Sequence, residues 1–466
     1  MYKLLKRAVE TQREKTFVVY EERAYSFLEI YDKVINMAKK LVKVEEKRVA
    51  VISKNSLDFL TLLLAAPIAK KELLLINTRL TSSEVSYQLE NIGVECAIIE
   101  EEFENKIPQG IKRQCFQEVQ ALKGSEFELS ENSCEDIFYI MYTSGTTGKP
   151  KAVPHRKKNL FSSAESSAEI LGVDMQDNWL LYLPLFHVSG LMILMRSLAN
   201  HTALTLYKGY EEEKILEVIE KKRVNIASFV PMTLAEVIDR VDLKNFRVIL
   251  LGGAKPSDKL LEKAKRLDLP IFQTYGMTET TSQISTLTKE YIYTKVGSVG
   301  KVIPRNLLEL RNVQSDGVGE IFVKGGSVID AYIHGDAIEW LATGDMGRFD
   351  SEGFLYIVTR RTDLIVSGGE NIYPSEIENS VVQIEGVKEA CVVKRASEKW
   401  GEISILYIVG NVSKERVLKT LEEKLARYKH PREIIFVKSL PKNSLGKIMR
   451  HKLLEAEAIL TTNKSK

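Results

Sequence analysis

At 466 residues the chain is too long for a single hydrophobic core and reads as two or three domains. Its 44% hydrophobic and 28% charged residues fit a soluble globular protein, and 66 basic against 63 acidic side chains leave a net charge of only +3. That balance argues against a dedicated nucleic-acid or membrane-surface binder, so small molecules are the expected partners.

The first residues, MYKLLKRAVETQREKTF, lack an apolar core of signal-peptide length, and no later run approaches a membrane span. No membrane anchoring and a cytoplasmic location are therefore expected. Short β-rich runs follow: RVAVIS (48–53), CAIIE (96–100), IFYIMY (137–142), TALTLY (202–207), IASFV (226–230), FRVILLGG (246–253) and LPIFQTYG (269–276). Helical patterns such as 56–70 and 211–223 separate them, which predicts an α/β fold of parallel-type sheets covered on both faces. In such sheets ligands bind beyond the carboxyl ends of strands. Glycine turns and short strands over about 295–358 suggest a β-rich subdomain, expected as a small β-barrel. From 361 to 466 a fresh α+β unit is expected, with a boundary near 360. The four cysteines, Cys96, Cys115, Cys134 and Cys391, are scattered without zinc spacing, which fits a reduced protein. Nothing in the sequence sets the oligomeric state, and a homo-oligomer is compatible with it.

Directly after IFYIMY comes Thr143-Ser144-Gly145-Thr146-Thr147-Gly148-Lys149-Pro150-Lys151. A strand entering a glycine-rich, hydroxyl-rich turn lets backbone N–H groups approach an anion without Cβ interference. It is not a Walker loop, because Thr143 stands where the first glycine belongs and Pro150 where a magnesium-binding hydroxyl belongs. The string resembles the phosphate loop of the adenylate-forming superfamily, which takes in acyl-CoA synthetases, luciferases and peptide-synthetase adenylation domains. Leu183-Pro184-Leu185-Phe186-His187, Gly252-Gly253-Ala254, Tyr275-Gly276-Met277-Thr278-Glu279-Thr280, Thr343-Gly344-Asp345, Arg360 and Pro441-x4-Gly446-Lys447-x2-Arg450 are similar to that family's motifs, in its order.

The resemblance implies ATP, Mg²⁺ and, as acyl acceptor, coenzyme A. Thr143, Ser144, Gly145, Thr146, Thr147, Gly148 and Lys149 would hold the departing phosphates. Thr278 would touch the α-phosphate, and Glu279 would be the Mg²⁺ ligand. Asp345 and Arg360 would bind the ribose, with adenine between Gly252, Gly253, Ala254 and the ring of Tyr275 beside Gly276. Lys447, on a mobile C-terminal domain, would bridge the carboxylate and the α-phosphate in the first half-reaction. Gly368 and Gly369 would line a thiol tunnel in the second. Two departures from the family pattern stand out: Thr362 occupies the hinge position where many members have Asp, and Ala152 replaces a common glycine.

The acid would lie against LPLFHVSGLMILMRSLAN, with His187 as a gate or a core histidine. Arg196 is the only formally charged group between Trp179 and Lys208, and it either snorkels to solvent or meets an anionic substrate. No carboxylate in that stretch is available for an amino acid's ammonium. Finer likeness in YGMTETTSQI, TKVGSVGK and SGGENIYPSEIE points to family members that activate an aromatic keto acid bearing a second carboxylate. Ser189, Ser282, Gln283, Gly276 and Arg196 would contact it. The rivals are another aryl- or medium-chain acyl-CoA ligase, a phosphate-loop ATPase or kinase, and a non-catalytic nucleotide sensor.

Overall fold

The computed structural model describes residues 1–143, 150–221, 223–360, 363–367, 370–397, 400–425, 427–443, 446–450 and 452–455. By its internal contacts the chain divides into two compact units, Met1–Leu308 with Val323–Leu341, and Glu309–Phe322 with Ala342–Lys466. The expected boundary near 360 therefore falls inside the second unit, because the glycine-rich strands after 300 group mainly with the C-terminal segment.

The first unit holds two large sheets. In the six-stranded one the order is Lys112–Cys115, Cys96–Ile99, Arg48–Ile52, Glu72–Leu75, Ile137–Thr143, Lys151–Arg156. All its pairings are parallel except the last. In the nine-stranded sheet the order is Lys301–Val302, Ser282–Leu287, Ile271–Met277, Val248–Leu251, Ile226–Phe229, Asn178–Leu181, Ala203–Leu206, Thr16–Tyr20, Arg23–Ser26. Its centre is parallel and both edges are antiparallel. Parallel strands need crossovers, and the helices that provide them cover the sheets. Helix Leu57–Ile68 is buried at every position from Phe59 to Ile68, as expected for a helix apolar all round. Helix Lys157–Leu171 touches a strand of each sheet, Lys151–Arg156 and Ser282–Leu287, and packs on helix Val188–Ala199. It is the strut that fixes one sheet against the other.

The stretch expected as a small β-barrel is a four-stranded sheet in the order Asn306–Arg311, Gly319–Gly325, Leu341–Phe349, Leu355–Arg360. Beyond it is the long hairpin Val387–Ser397 and Gly401–Gly410, whose second strand also pairs with Glu433–Phe436 in parallel and, at Gly401, with Ile365–Ser367, which in turn pairs with Glu370–Ile372. Helices Pro374–Val382 and Lys414–Lys424 pack over a core of Ile377, Val381, Val392, Leu406, Ile408 and Leu421. This is the α+β unit that the sequence leads one to expect.

Candidate active site

The phosphate-loop candidate connects two antiparallel strands, with Tyr142 opposite Ala152 and Thr143 opposite Lys151. Ser144, Gly145, Thr146, Thr147, Gly148 and Lys149 lie outside the described residues, so the structure supplies the stems of the loop. The proline expected to stop a helix is followed by a strand. That strand, Lys151–Arg156, even accommodates Pro154, which an edge position with one pairing partner permits.

Across from these stems the chain makes a tight reversal after Ile271–Met277. Gly276 has no room for a side chain: a Cβ there would lie 1.6 Å from the Ser282 carbonyl oxygen. Thr278–Thr280 forms one 3₁₀ turn rather than the start of an α-helix, and Thr281 (φ 48°) and Ser282 (φ 87°) turn the backbone through the left-handed region. The turn is secured by its own threonine, since the Met277 amide donates to Thr280 Oγ1 at 2.9 Å, and that hydroxyl lies 2.9 Å from the Ser282 carbonyl. Ser163 Oγ, on the strut helix, donates to the Thr281 carbonyl at 2.7 Å. Fully buried His155 sits 3.3 Å from Thr281 Oγ1 through Nδ1, and burial lowers its pKa to about 3. It is therefore neutral at working pH.

Glu279 leaves this turn towards the loop stems. Its Oε1 accepts from Thr143 Oγ1 at 3.2 Å and from the Tyr332 hydroxyl at 3.2 Å, while Oε2 accepts from none of the described residues. Tyr332 also lies under Lys151, whose ammonium is 4.9 Å from the ring centroid. A carboxylate with one oxygen held and the other open fits a hard cation shared with nucleotide phosphates. Among the described residues no cluster of three or more His, Cys, Asp or Glu side chains could hold a metal by itself. When bound, Mg²⁺ would offset phosphate charge.

Gly252, Gly253 and Ala254 follow strand Val248–Leu251, at the carboxyl end where the crevice rule looks for ligands. A Cβ on Gly252 would meet Thr274 Cγ2 at 2.8 Å, and Gly253 has φ +80°, so both positions require glycine for local reasons. Tyr275, at the neighbouring strand end, is half-buried.

The stretch 183–187 is fixed by a residue with no motif to announce it. Buried Asn55 donates to the Leu183 carbonyl at 3.0 Å and accepts from the Leu185 amide at 2.8 Å. His187 then precedes helix Val188–Ala199, its pKa lowered to about 4 by burial and secondarily by Arg79. Ser189 lies in the helix's first turn. Two turns further, Arg196 is 2% exposed, which removes the solvent alternative. Its Nη2 donates to Gln283 Oε1 at 2.9 Å and to Ser282 Oγ at 3.2 Å, and it faces the Trp179 ring at 5.9 Å. Nε has no partner and no carboxylate pairs with it among the described residues, so burial lowers its pKa to about 10. A buried guanidinium met only by neutral groups is a costly arrangement and a functional candidate.

Asp345 and Arg360, in the second unit, face each other as register partners on adjacent antiparallel strands. Asp345 is buried, and its amide donates to Thr343 Oγ1 at 3.1 Å. Lys447 is exposed on a turn closed by the Asn443 side chain, which accepts from the Lys447 amide at 2.9 Å, with Gly446 at φ 76°. Arg450 beyond it is held by Glu378 at 2.5 and 2.7 Å. Thr362, Gly368 and Gly369 lie outside the described residues. The structure thus gathers Thr143 with Glu279, and Arg196 with Ser282 and Gln283, and sets Asp345 opposite Arg360. Tyr332, Asn55 and His155 are the contacts that sequence reading missed. Asn55 could have been suspected, since it directly precedes a helix N-cap, Ser56, at the carboxyl end of strand Arg48–Ile52.

Comparison with known proteins shows the family. The model of the AMP-binding enzyme family matches residues 5–333, and that of the AMP-binding enzyme C-terminal domain matches residues 376–447. A 2-succinylbenzoate–CoA ligase of Lactococcus lactis subsp. lactis (strain IL1403) is 39% identical over 97% of this chain and 99% of its own. One of Oceanobacillus iheyensis is 39% identical over 97% and 98%. The o-succinylbenzoate CoA synthetase of Bacillus subtilis, solved with the acyl-adenylate OSB-AMP, superposes with a TM-score of 0.90 at 33% identity, covering 97% of both chains. The same enzyme solved with ATP and magnesium ion gives 0.90 at 33%, covering 97% and 98%.

Proposed function

We propose, since this chain belongs to the AMP-binding enzyme family, that it is an acid–thiol ligase making 2-succinylbenzoyl-CoA from 2-succinylbenzoate, ATP and coenzyme A. The products would be the thioester, AMP and pyrophosphate, formed through an acyl-adenylate in menaquinone biosynthesis. Bacterial relatives of that name, alike over nearly the full length, support the reading. The observation that carries the choice of acid is buried Arg196, which meets only neutral groups beside Ser282 and Gln283. 2-Succinylbenzoate has one carboxylate to activate and a second to meet such a charge.

Carboxylate attack on the α-phosphate brings two anions together, so catalysis rests on charge neutralisation and positioning. Thr143 to Lys149 would hold the β- and γ-phosphates, with Thr278 on the α-phosphate. Glu279 would be the protein ligand of Mg²⁺. Asp345 and Arg360 would hold the ribose, and Gly252, Gly253, Ala254 and Tyr275 the adenine. His187, neutral and buried, would wall off the reacting carboxylate from water. Lys447, carried by a mobile segment 361–466 hinged at Thr362, would neutralise the adenylation transition state, and Gly368 and Gly369 would admit the thiol. Among the described residues no helix is long and apolar enough to cross a membrane, in keeping with work on small molecules in the cytoplasm.

The test is product analysis with ATP, Mg²⁺, CoA and a panel of acids. The expected result is AMP formation dependent on 2-succinylbenzoate and a mass peak for its CoA thioester. Turnover of benzoate or fatty acids with none of 2-succinylbenzoate would overturn the substrate, and release of ADP would overturn the reaction class.

A further inference from the structure

Glu279 is gripped through one oxygen by two hydroxyls. One comes from Thr143, at the root of the phosphate loop. The other comes from Tyr332, in the segment DAYIHG, which belongs to none of the motifs read from the sequence. Three further contacts pin that segment in place. The Ile329 amide donates to the Glu279 carbonyl at 3.0 Å, and the Ile333 amide to the Ala152 carbonyl at 3.0 Å, just past the loop. Asp330 is clamped by Arg156 Nε at 3.2 Å and Lys158 Nζ at 2.8 Å, beside the same strand. Residues 329–333 thus form a strap tied both to the Glu279 turn and to the outgoing stem of the loop. The Tyr332 hydroxyl is the strap's polar contact with the carboxylate itself.

We infer that Tyr332 is a positioning residue for metal-bound nucleotide, fixing Oε1 of Glu279 so that Oε2 is presented to the cation. Groups that orient a ligating carboxylate contribute strongly to metal affinity without touching the metal. The phenol is suited to this, because its hydroxyl donates to Oε1 and leaves Oε2 without a donor among the described residues. The inference rests on Glu279 serving as the magnesium ligand, and not on which acid the chain activates.

The test uses Tyr332→Phe, which keeps the ring and its contact with Lys151 and deletes only the hydroxyl. Mn²⁺ binding is measured by electron paramagnetic resonance in the presence of α,β-methylene-ATP, and the free Mg²⁺ giving half-maximal adenylation is measured alongside. The expected result is about a tenfold weakening of both, the low end for an orienting partner because the 3.2 Å bond is long. The KM for the acid should stay unchanged, as should thioester formation from supplied acyl-adenylate. In a Glu279→Gln background the same change should have no further effect on Mn²⁺ binding. Unaltered Mn²⁺ affinity in Tyr332→Phe would overturn the inference. So would a loss that persists at full size in the Glu279→Gln background, because the effect would then not travel through the carboxylate. Since Mn²⁺ binding involves no acid, failure here is distinguishable from failure of the substrate assignment.

Discussion

Arg196→Met should make the protein more stable and the enzyme worse. The substitution roughly preserves length and apolar bulk while deleting a charge that is buried with no carboxylate partner among the described residues. A guanidinium pKa lowered from 12.5 to about 10 means that the charged form is disfavoured in the fold by about 3 kcal/mol. Because both folded and unfolded chains are protonated below about pH 10, the full penalty applies at every working pH. Hydrogen bonds to Gln283 and Ser282 return part of it, and Gln283 keeps a second contact, donating from Nε2 to Thr286 Oγ1 at 3.0 Å. The net expectation is a gain of about 1 kcal/mol on replacement. A carboxylate about 4 Å from the guanidinium, at an effective dielectric near 20, would lose about 4 kcal/mol of attraction. That is about a thousandfold in kcat/KM for 2-succinylbenzoate. Pyrophosphate release measures the rate, and urea or thermal unfolding measures stability. A monocarboxylic aryl acid should show no comparable loss. If the variant unfolds more easily and loses activity equally with every acid, Arg196 is structural and the reasoning fails.

Lys447→Ala should suppress adenylation by about a thousandfold, from the same Coulomb arithmetic for a cation about 4 Å from the reacting oxygens. Thioester formation from supplied acyl-adenylate should largely survive, which stopped-flow separation of the half-reactions checks. Gly276→Ala would force a methyl to within 1.6 Å of the Ser282 carbonyl, so a loss of about 3 kcal/mol or more and failed nucleotide binding are expected in melting and titration assays. Acid should destabilise the protein below pH 6.5, because buried His155 and His187 resist protonation until about pH 3 and 4 while the unfolded chain takes up protons freely. By pH 5 each costs about 2 kcal/mol relative to pH 7. In His155→Gln the drop measured by urea unfolding should be about half as large.

Parallel strands 48–52, 96–99, 226–229, 248–251 and 271–277 were legible because a strand buried on both faces is a short apolar run between helical patterns. Others were hidden for identifiable reasons. Hairpin Thr16–Tyr20 and Arg23–Ser26 turns through Glu21 and Glu22, both at positive φ, where asparagine and glycine would have given the signal. Glu72–Leu75 lies only a few residues behind helix Leu57–Ile68 and is four residues long, too short to show a period of its own. Pro154 argued against the strand it occupies. At the site, motif residues announced themselves by clustering of unusual types. Tyr332 and His155 did not, because a lone tyrosine or histidine takes its role from what lies across the fold, more than fifty positions away for Tyr332 and over a hundred for His155.

Thr281 and Ser282 occupy left-handed backbone in succession, directly behind the residues that would meet the phosphates and the metal. Neither is glycine, so each carries strain of about 1 kcal/mol or more that the surrounding contacts must hold in place. An engineer ranking positions for thermostability would choose glycine here, and the folded state would gain from it. The gain would come by letting a catalytic hairpin wander, so a thermostable redesign of this enzyme should leave these two residues untouched.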